Sequence, residues 1–187
     1  MNYIGQEIQD FSVKAYQQGE LKDVTKKDVL GKWSVFFFYP ADFSFVCPTE
    51  LEDLQAKYSQ FKAAGAEIYS VSEDTEFAHF AWAEASEGIG KIQYPMLADP
   101  AGKLAKAFDV LNEDLGQTYR AAFVVDPDGV IQSYTINNMG IGRNAAEIFR
   151  TLQAAQFVRA HGDKVCPASW QPGDDVLEPG TDLVGKL

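Results

Sequence analysis

The sequence predicts an α/β fold in which a central mixed sheet is flanked by helices and followed by a C-terminal extension. Short apolar, β-branched runs alternate with segments whose apolar residues recur every three or four positions, the order typical of α/β proteins. A hairpin and a long helix follow this alternation. We therefore expect one three-layer domain over residues 1–161 and an irregular arm over residues 162–187.

The first half of the domain contains two predicted strand–helix pairs. WSVFFFYP (33–40) is aromatic and apolar, as expected of a buried strand, and AEIYSVS (66–72) is similar. Between them a helix is predicted from about Pro48 to Ala64, because proline suits the first helical turn and Gly65 can end the helix. A second helix is predicted over 75–87, with four residues near one apolar face: Phe77, Phe80, Ala81 and Ala85.

The second half is predicted to close the sheet. A short strand is expected around YPMLAD (94–99), then a helix in GKLAKAFDV (102–110). YRAAFVVD (119–126) and VIQSYTIN (130–137) are joined by PDG and predict a hairpin. A long helix should begin near Asn144, a suitable cap. The arm beyond is rich in Trp, Val and Leu, so we expect it to dock on its own domain or on a partner subunit.

Composition excludes several classes of protein. The formal net charge is −11 and no basic cluster occurs, which argues against binding to nucleic acid or to anionic membranes. The N-terminal residues lack the pattern of a signal peptide, and no apolar stretch reaches the roughly 18 residues of a membrane span. A cytoplasmic location is expected, where two cysteines suggest burial, metal binding or redox chemistry.

Cys47 is placed between the first buried strand and the helix that Pro48 opens. A helix N-terminus and nearby cations both favour the thiolate, which is the nucleophilic form of cysteine. Arg120 opens a predicted strand and Arg143 precedes the last helix, so either could reach the same end of the sheet.

Simpler interpretations fit the same residues. A cysteine at an apolar strand end is often a small buried hydrophobe. Ser44 could be only a capping hydroxyl, and Pro40 only a strand terminator. These residues taken one at a time leave both interpretations open.

Together, Pro40, Ser44 and Cys47 form the pattern P-x-x-x-[TS]-x-x-C, which resembles the active-site signature of the peroxiredoxins. Over nearly the whole chain, further segments resemble the typical two-cysteine class of that family: FFFYPADFSFVCPTE, YSVSEDTEFAHFAW, RAAFVVDPDGVI, GIGR, VCPASW and DLVGKL. The resemblance implies a thioredoxin-like fold, which agrees with the predicted order of strands and helices.

The resemblance also implies roles for the motif residues. Cys47 would be the peroxidatic cysteine, whose thiolate attacks a hydroperoxide and becomes a sulfenic acid. Ser44 would hydrogen-bond the peroxide, and Pro40 would shield the pocket. Arg120 would stabilise the thiolate and the charge that develops on the leaving oxygen. Most members carry threonine at the position of Ser44, and we expect this difference to change the rate little.

Three further residues gain a role in the same way. Glu50 would orient the arginines, and Arg143 would be a second, supporting arginine. An exposed ion pair worth less than about 1 kcal/mol is an alternative for both. Cys166, in the 162–187 arm, would be the resolving cysteine, which attacks the sulfenic acid of a partner subunit and gives an intersubunit disulfide with Cys47.

The resemblance implies no bound cofactor and no metal. Electrons would come from an external disulfide reductase, either a flavoprotein reductase fed by NADH or thioredoxin. Homodimers would assemble into a decamer, for which Phe43, Phe45 and Phe77 are candidate contacts, although core packing explains these residues equally well. A secondary activity as a holdase chaperone is compatible with the sequence.

Two motifs of easily inactivated relatives are missing from the sequence. Relatives that inactivate easily carry a glycine-rich loop and a C-terminal Tyr-Phe motif, whereas this chain has NEDLGQTYR and ends in GKL. We therefore expect Cys47 to resist overoxidation.

Two other classes of site are disfavoured. A thioredoxin-type oxidoreductase normally shows C-x-x-C, but Cys47 is followed by P-T-E. A zinc site could be assembled only from Cys47, His79, His161 and Cys166, which lack the usual ligand spacing. The two histidines are better interpreted as surface or packing residues.

Overall fold

The computed structural model describes residues 3–186. They divide into two compact units, and the division lies between residues 145 and 146. The first two residues and Leu187, which ends the DLVGKL segment, lie outside the described residues. Within 3–186 no helix is long and apolar enough to cross a membrane. The division that we predict at residue 161 stays a prediction.

The first unit is built on a seven-stranded mixed sheet in the order β2-β1-β5-β4-β3-β8-β9. The β3/β4 and β4/β5 pairs are parallel and the other pairs are antiparallel. The strands are β1 (Ser12–Gln17), β2 (Glu20–Thr25), β3 (Trp33–Phe38), β4 (Ala66–Ser72), β5 (Met96–Ala98), β8 (Arg120–Val125) and β9 (Ile131–Asn137). A separate two-stranded sheet contains β6 (Leu111–Asn112) and β7 (Gln117–Thr118).

Four helices belong to the first unit: α1 (Lys26–Val29), α2 (Cys47–Ala63), α3 (Glu76–Ala85) and α4 (Lys103–Ala107). A 3₁₀ turn spans Ile89–Lys91. α2 packs on β4, and α3 packs on β1 and β5. The predicted fold class, an α/β domain with a central mixed sheet flanked by helices, is therefore confirmed.

The predicted elements match the structure closely where the sequence pattern was strong. β4 has the predicted bounds, and the β8–β9 hairpin turns at PDG, where the Asp126 carboxylate accepts hydrogen bonds from the backbone N–H groups of Asp128 and Val130. α2 begins at Cys47, one residue before the predicted start, so that Pro48 is its second residue.

Two features differ from the prediction or were missed. The face of α3 that is buried carries His79, Trp82 and Ala83, whereas the four residues predicted for the apolar face include the exposed Phe77 and Phe80. The face prediction was therefore wrong. The β1–β2 hairpin was not predicted; its two turn residues, Gln18 and Gly19, both have positive φ, as a tight hairpin turn requires.

An aromatic cluster forms the core on one face of the sheet. The ring of Phe108 lies 5.1 Å from that of Phe36, 5.0 Å from that of Phe38 and 4.8 Å from that of Phe123, measured between centroids. Phe36 and Phe38 alternate along β3 with Phe37, which is not part of this cluster. This packing fixes the end of β3, from which the loop to α2 departs.

The second unit consists of most of α5 (Ala145–Ala160) and the segment that follows it. The start of α5 agrees with the predicted helix near Asn144. Beyond α5, an isolated bridge pairs Val165 with Leu177, and a 3₁₀ turn spans Thr181–Leu183.

Candidate active site

Cys47 is the first residue of α2, and its side chain is fully buried. The loop over residues 39–46 leads to it from the end of β3. The backbone N–H groups of the first helical turn are not used by the helix and point towards its N-terminal end. The sulfur therefore lies where the helix dipole favours negative charge.

Arg120 reaches the sulfur from the neighbouring strand. It is the first residue of β8, which is paired with β3. Its Nη1 nitrogen donates to the sulfur of Cys47 at 3.3 Å and to Oε2 of Glu50 at 2.8 Å, and its Nε donates to the carbonyl of Met139. These three contacts hold the guanidinium beside the thiol.

Glu50 and Arg143 form the second layer of this cluster. Nε and Nη2 of Arg143 donate to the two carboxylate oxygens of Glu50 at 2.8 and 3.0 Å, and the Arg143 backbone N–H donates at 2.7 Å. The guanidinium carbon of Arg143 lies 3.4 Å from the centroid of the Phe37 ring, a cation–π contact. The Glu50 and Arg143 side chains are 2% and 3% exposed. The interpretation as an exposed ion pair is therefore wrong.

The charges of this cluster do not cancel. Burial acts to raise the pKa of Glu50, but the hydrogen bonds and charge of Arg143, together with the charge of Arg120, hold that pKa below its usual value. Burial lowers the pKa of Arg143, and Glu50 opposes the change. Two guanidinium groups thus face one carboxylate, and the sulfur of Cys47 lies beside them.

Ser44 and Pro40 lie on the loop before Cys47. Pro40 is buried and Ser44 is half-buried. The Ser44 hydroxyl donates to the carbonyl oxygen of Ala41 at 2.7 Å. Its proton is thus used within the loop, while the lone pairs of Oγ remain able to accept.

No sequence pattern indicated the hydrogen-bond network that supports this loop. Asp42 accepts from the Tyr39 hydroxyl at 2.7 Å and contacts Nδ1 of His79 at 2.7 Å, and its backbone N–H donates to Asp74 at 2.8 Å. His79 is fully buried, and its Nε2 lies 3.2 Å from the carbonyl oxygen of Leu97. His79 is therefore a packing residue of this network. Among residues 3–186 no group of His, Cys, Asp and Glu side chains is arranged to hold a metal ion.

Cys166 lies in the second unit and, like Cys47, is a free thiol. It is half-buried, with its sulfur 3.9 Å from the carbonyl oxygen of Ala154 on α5. Burial raises the pKa of the Cys166 thiol, and the positive charge of Arg150 opposes this rise.

A buried thiol at a helix N-terminus, held by arginine on an α/β sheet, is typical of thiol-dependent redox enzymes. Two family models match the chain. The AhpC/TSA family matches residues 4–134, and the C-terminal domain of 1-Cys peroxiredoxin matches residues 154–186, which include Cys166.

Similar proteins cover the full chain. "Alkyl hydroperoxide reductase C" of Bacillus subtilis is 52% identical, and the protein of that name from Salmonella typhimurium is 50% identical, each over 187 residues and 100% of both chains. The crystal structure of Enterococcus faecalis AhpC has a TM-score of 0.88 at 60% identity, covering 89% of this chain and 100% of that one. Reduced Plasmodium vivax 2-Cys peroxiredoxin has a TM-score of 0.92 at 32% identity, covering 97% and 96%.

The chain therefore belongs to the AhpC/TSA family and is a peroxiredoxin, an antioxidant peroxidase with a thioredoxin-like fold. Among the members of this family, it is similar over its full length to the bacterial proteins named alkyl hydroperoxide reductase C.

Proposed function

We propose that the protein reduces hydrogen peroxide and organic hydroperoxides, with Cys47 as the peroxidatic cysteine. The observation that carries this proposal is the 3.3 Å hydrogen bond from Arg120 to the Cys47 sulfur. It lies within a buried cluster in which two guanidinium groups, those of Arg120 and Arg143, share the single carboxylate of Glu50. The names of the similar bacterial proteins support the same substrate class.

In the first step the Cys47 thiolate attacks the terminal oxygen of ROOH. A sulfur–oxygen bond forms and the oxygen–oxygen bond breaks, which gives a sulfenic acid and RO⁻; a proton then converts RO⁻ to the alcohol, or to water when R is hydrogen. Arg120 stabilises charge on the sulfur and on the leaving oxygen. Ser44 accepts the peroxide O–H while it keeps its bond to Ala41. Pro40 shields the pocket, Glu50 orients Arg120, and Arg143 supports Glu50.

In the second step the thiol of Cys166 from a partner subunit attacks the Cys47 sulfenic acid. A sulfur–sulfur bond forms, the sulfur–oxygen bond breaks, and water leaves. The product is an intersubunit Cys47–Cys166 disulfide.

In the third step two electrons and two protons return the disulfide to thiols. The donor is an external disulfide reductase, either a flavoprotein fed by NADH or thioredoxin, so the chain itself binds no cofactor and no metal.

We further propose a cytoplasmic homodimer that assembles into a decamer. Phe43, Phe45 and Phe77 are 58%, 92% and 66% exposed within the chain, so core packing does not explain them. A contact between subunits would remove this apolar surface from water. A holdase activity of such an assembly stays a prediction.

One experiment tests the activity and its donor together. Consumption of the nicotinamide cofactor is followed with peroxide, the protein and either a flavoprotein disulfide reductase with NADH or thioredoxin with its reductase and NADPH. Turnover with one donor is expected, and Cys47→Ser should abolish it. Turnover that survives in Cys47→Ser would overturn the assignment. Suppression of client aggregation by the same variant measures holdase activity separately.

A further inference from the structure

One face of α5 carries the segment that contains Cys166. Glu147, Arg150, Ala154 and Phe157 follow one another at spacings of three and four, so their side chains lie along one stripe of the helix. The segment from Val165 to Trp170 contacts three positions of this stripe.

The contacts join Trp170 and Cys166 to adjacent helical turns. The Trp170 ring lies 5.0 Å from the Phe157 ring between centroids, and its carbonyl oxygen accepts from Nη1 of Arg150 at 3.2 Å. The Cys166 sulfur lies over the Ala154 carbonyl at 3.9 Å, one turn beyond Arg150. Arg150 therefore holds the chain four residues after Cys166.

The guanidinium of Arg150 is itself fixed. Its Nη2 and Nε donate to the carboxylate oxygens of Glu147 at 2.8 and 3.0 Å. In the segment after α5, the charged side chains of Lys164 and Glu178 form their own ion pair at 3.3 Å, and Asp174 accepts from the Gln171 backbone N–H. Burial raises the pKa of the Cys166 thiol, and the positive charge of Arg150 opposes this rise.

We propose that Arg150 is a positioning residue for the resolving cysteine: through the Trp170 carbonyl it holds the Cys166 segment on α5, and its charge favours the thiolate. This inference rests on the proposed role of Cys166. The thiolate forms the sulfur–sulfur bond as the sulfur–oxygen bond of the sulfenic acid breaks, and the departing hydroxide takes up the proton to become water. Arg150 would thus accelerate resolution without touching the peroxide.

The test uses Cys47→Ser, in which Cys166 is the only thiol. Its alkylation by iodoacetamide is measured by mass spectrometry as a function of pH. Arg150→Met, which keeps an apolar stem of similar length, should move the pH midpoint of Cys166 alkylation upwards. A rise of about half a pH unit in this midpoint would lower both the thiolate fraction and the alkylation rate at pH 7 about threefold. Arg150→Lys, which retains the charge, should restore most of the loss.

Arg159→Met is the matched control, because it removes the same charge from an exposed position on the same helix. Its profile should superimpose on that of the parent. An unchanged or lower midpoint in Arg150→Met would overturn the proposal; a lower midpoint is the result expected if the segment only loosens and exposes the thiol.

A second measurement separates this inference from the proposed function. With both cysteines present, peroxide should form the Cys47 sulfenic acid, trapped with dimedone, at the same rate in Arg150→Met and in the parent. Only the later formation of the disulfide should slow, about threefold. A parent that forms no Cys47–Cys166 disulfide would refute the resolving role of Cys166 whatever the alkylation profiles show, while equal disulfide rates in the two proteins would refute the role of Arg150 alone.

Discussion

The Nη1 nitrogen of Arg120 lies 3.3 Å from the sulfur of Cys47, and both side chains are buried. The same nitrogen donates to Glu50 at 2.8 Å, so the position of Arg120 is fixed before any substrate arrives. Catalysis by fixed charges requires such a preorganised donor, because no free energy is then lost in reorienting it during the reaction.

Arg120→Met should lower the second-order rate of Cys47 oxidation by roughly 100-fold, about 2.7 kcal/mol of transition-state stabilisation. The rate is measured in single-turnover experiments with hydrogen peroxide by trapping the sulfenic acid with dimedone. Arg159→Met serves as the control for a general change in charge. A loss below about threefold would show that the contact with the sulfur is structural.

Glu50→Gln should destabilise the fold at pH 7 by about 3–5 kcal/mol, because it leaves two buried guanidinium groups without their counter-charge. The arginines hold the pKa of Glu50 below its unfolded value. The stability that Glu50 contributes is therefore present above the unfolded pKa and is lost as pH falls through the folded one.

Urea unfolding at several pH values below 7 checks this prediction. The difference in unfolding free energy between Glu50→Gln and the parent should shrink as the pH falls through the lowered pKa of Glu50, because the parent carboxylate then also becomes protonated. A difference that is constant with pH would mean that packing, and not charge, explains the loss.

Glu73 should make the fold less stable at alkaline pH. Both of its carboxylate oxygens are buried and accept no hydrogen bond of ordinary geometry among the described residues, although the backbone N–H groups of Glu73 and Thr118 act to lower its pKa. Burial, with the charge of Asp99, raises the pKa of Glu73 to about 8. The stability associated with its protonated form is complete below the unfolded pKa and is lost as pH rises through about 8.

Glu73→Gln should therefore gain about 1–3 kcal/mol over the parent at alkaline pH, because the amide cannot ionise, whereas the buried carboxyl of the parent loses its proton there. Melting temperatures between pH 5 and pH 9 measure the gain. It should grow with pH and level off above the folded pKa. A gain that is the same at both ends of this range would contradict the assigned ionisation.

Hydroperoxide should convert the parent into a disulfide-linked dimer on non-reducing gels, because Cys166 of one subunit condenses with the Cys47 sulfenic acid of another. Both Cys166→Ser and Cys47→Ser should run as monomers, and reduction with dithiothreitol should reverse the dimer. A disulfide-linked dimer that persists in Cys166→Ser would refute the pairing.

Cys47 should resist overoxidation during turnover. The segment over residues 112–120 contains the end of β6, the short strand β7 and the first residue of β8, and it lacks the glycine-rich motif of easily inactivated relatives. Less structure then opposes the rearrangement that admits Cys166. Activity is measured as peroxide is titrated, with the mass of the Cys47 peptide reporting sulfinic acid. Inactivation at low micromolar peroxide would count against this expectation.

The sequence predicted those elements whose patterns are strong and local. β4, α2 and the β8–β9 hairpin follow from apolar runs, helical spacing and the PDG turn. The β1–β2 hairpin was not predicted because β2 is largely exposed and polar, and because its Gln-Gly turn is a weaker signal than Asn-Gly.

The residues of the candidate site stand out in the sequence, but their burial does not. Pro40, Ser44 and Cys47 stand at fixed distances in one segment, so the pattern is visible in the sequence. The burial of Arg143 and Glu50 depends on their pairing, which joins segments that are far apart in the chain. His79 shows the same limit, since its burial requires Asp42, which lies in another element.

The alternation of side chains along β3 joins folding to activity. Phe36 and Phe38 belong to the aromatic cluster, whereas the ring of Phe37, between them, contacts the guanidinium group of Arg143. A slip of one residue in the pairing of β3 would exchange the two faces of the strand. It would move Phe36 and Phe38 out of the aromatic cluster and remove Phe37 from beneath Arg143 at the same time. A mispaired molecule could not be a working enzyme, and recovery of peroxidase activity would therefore report the native register of the sheet.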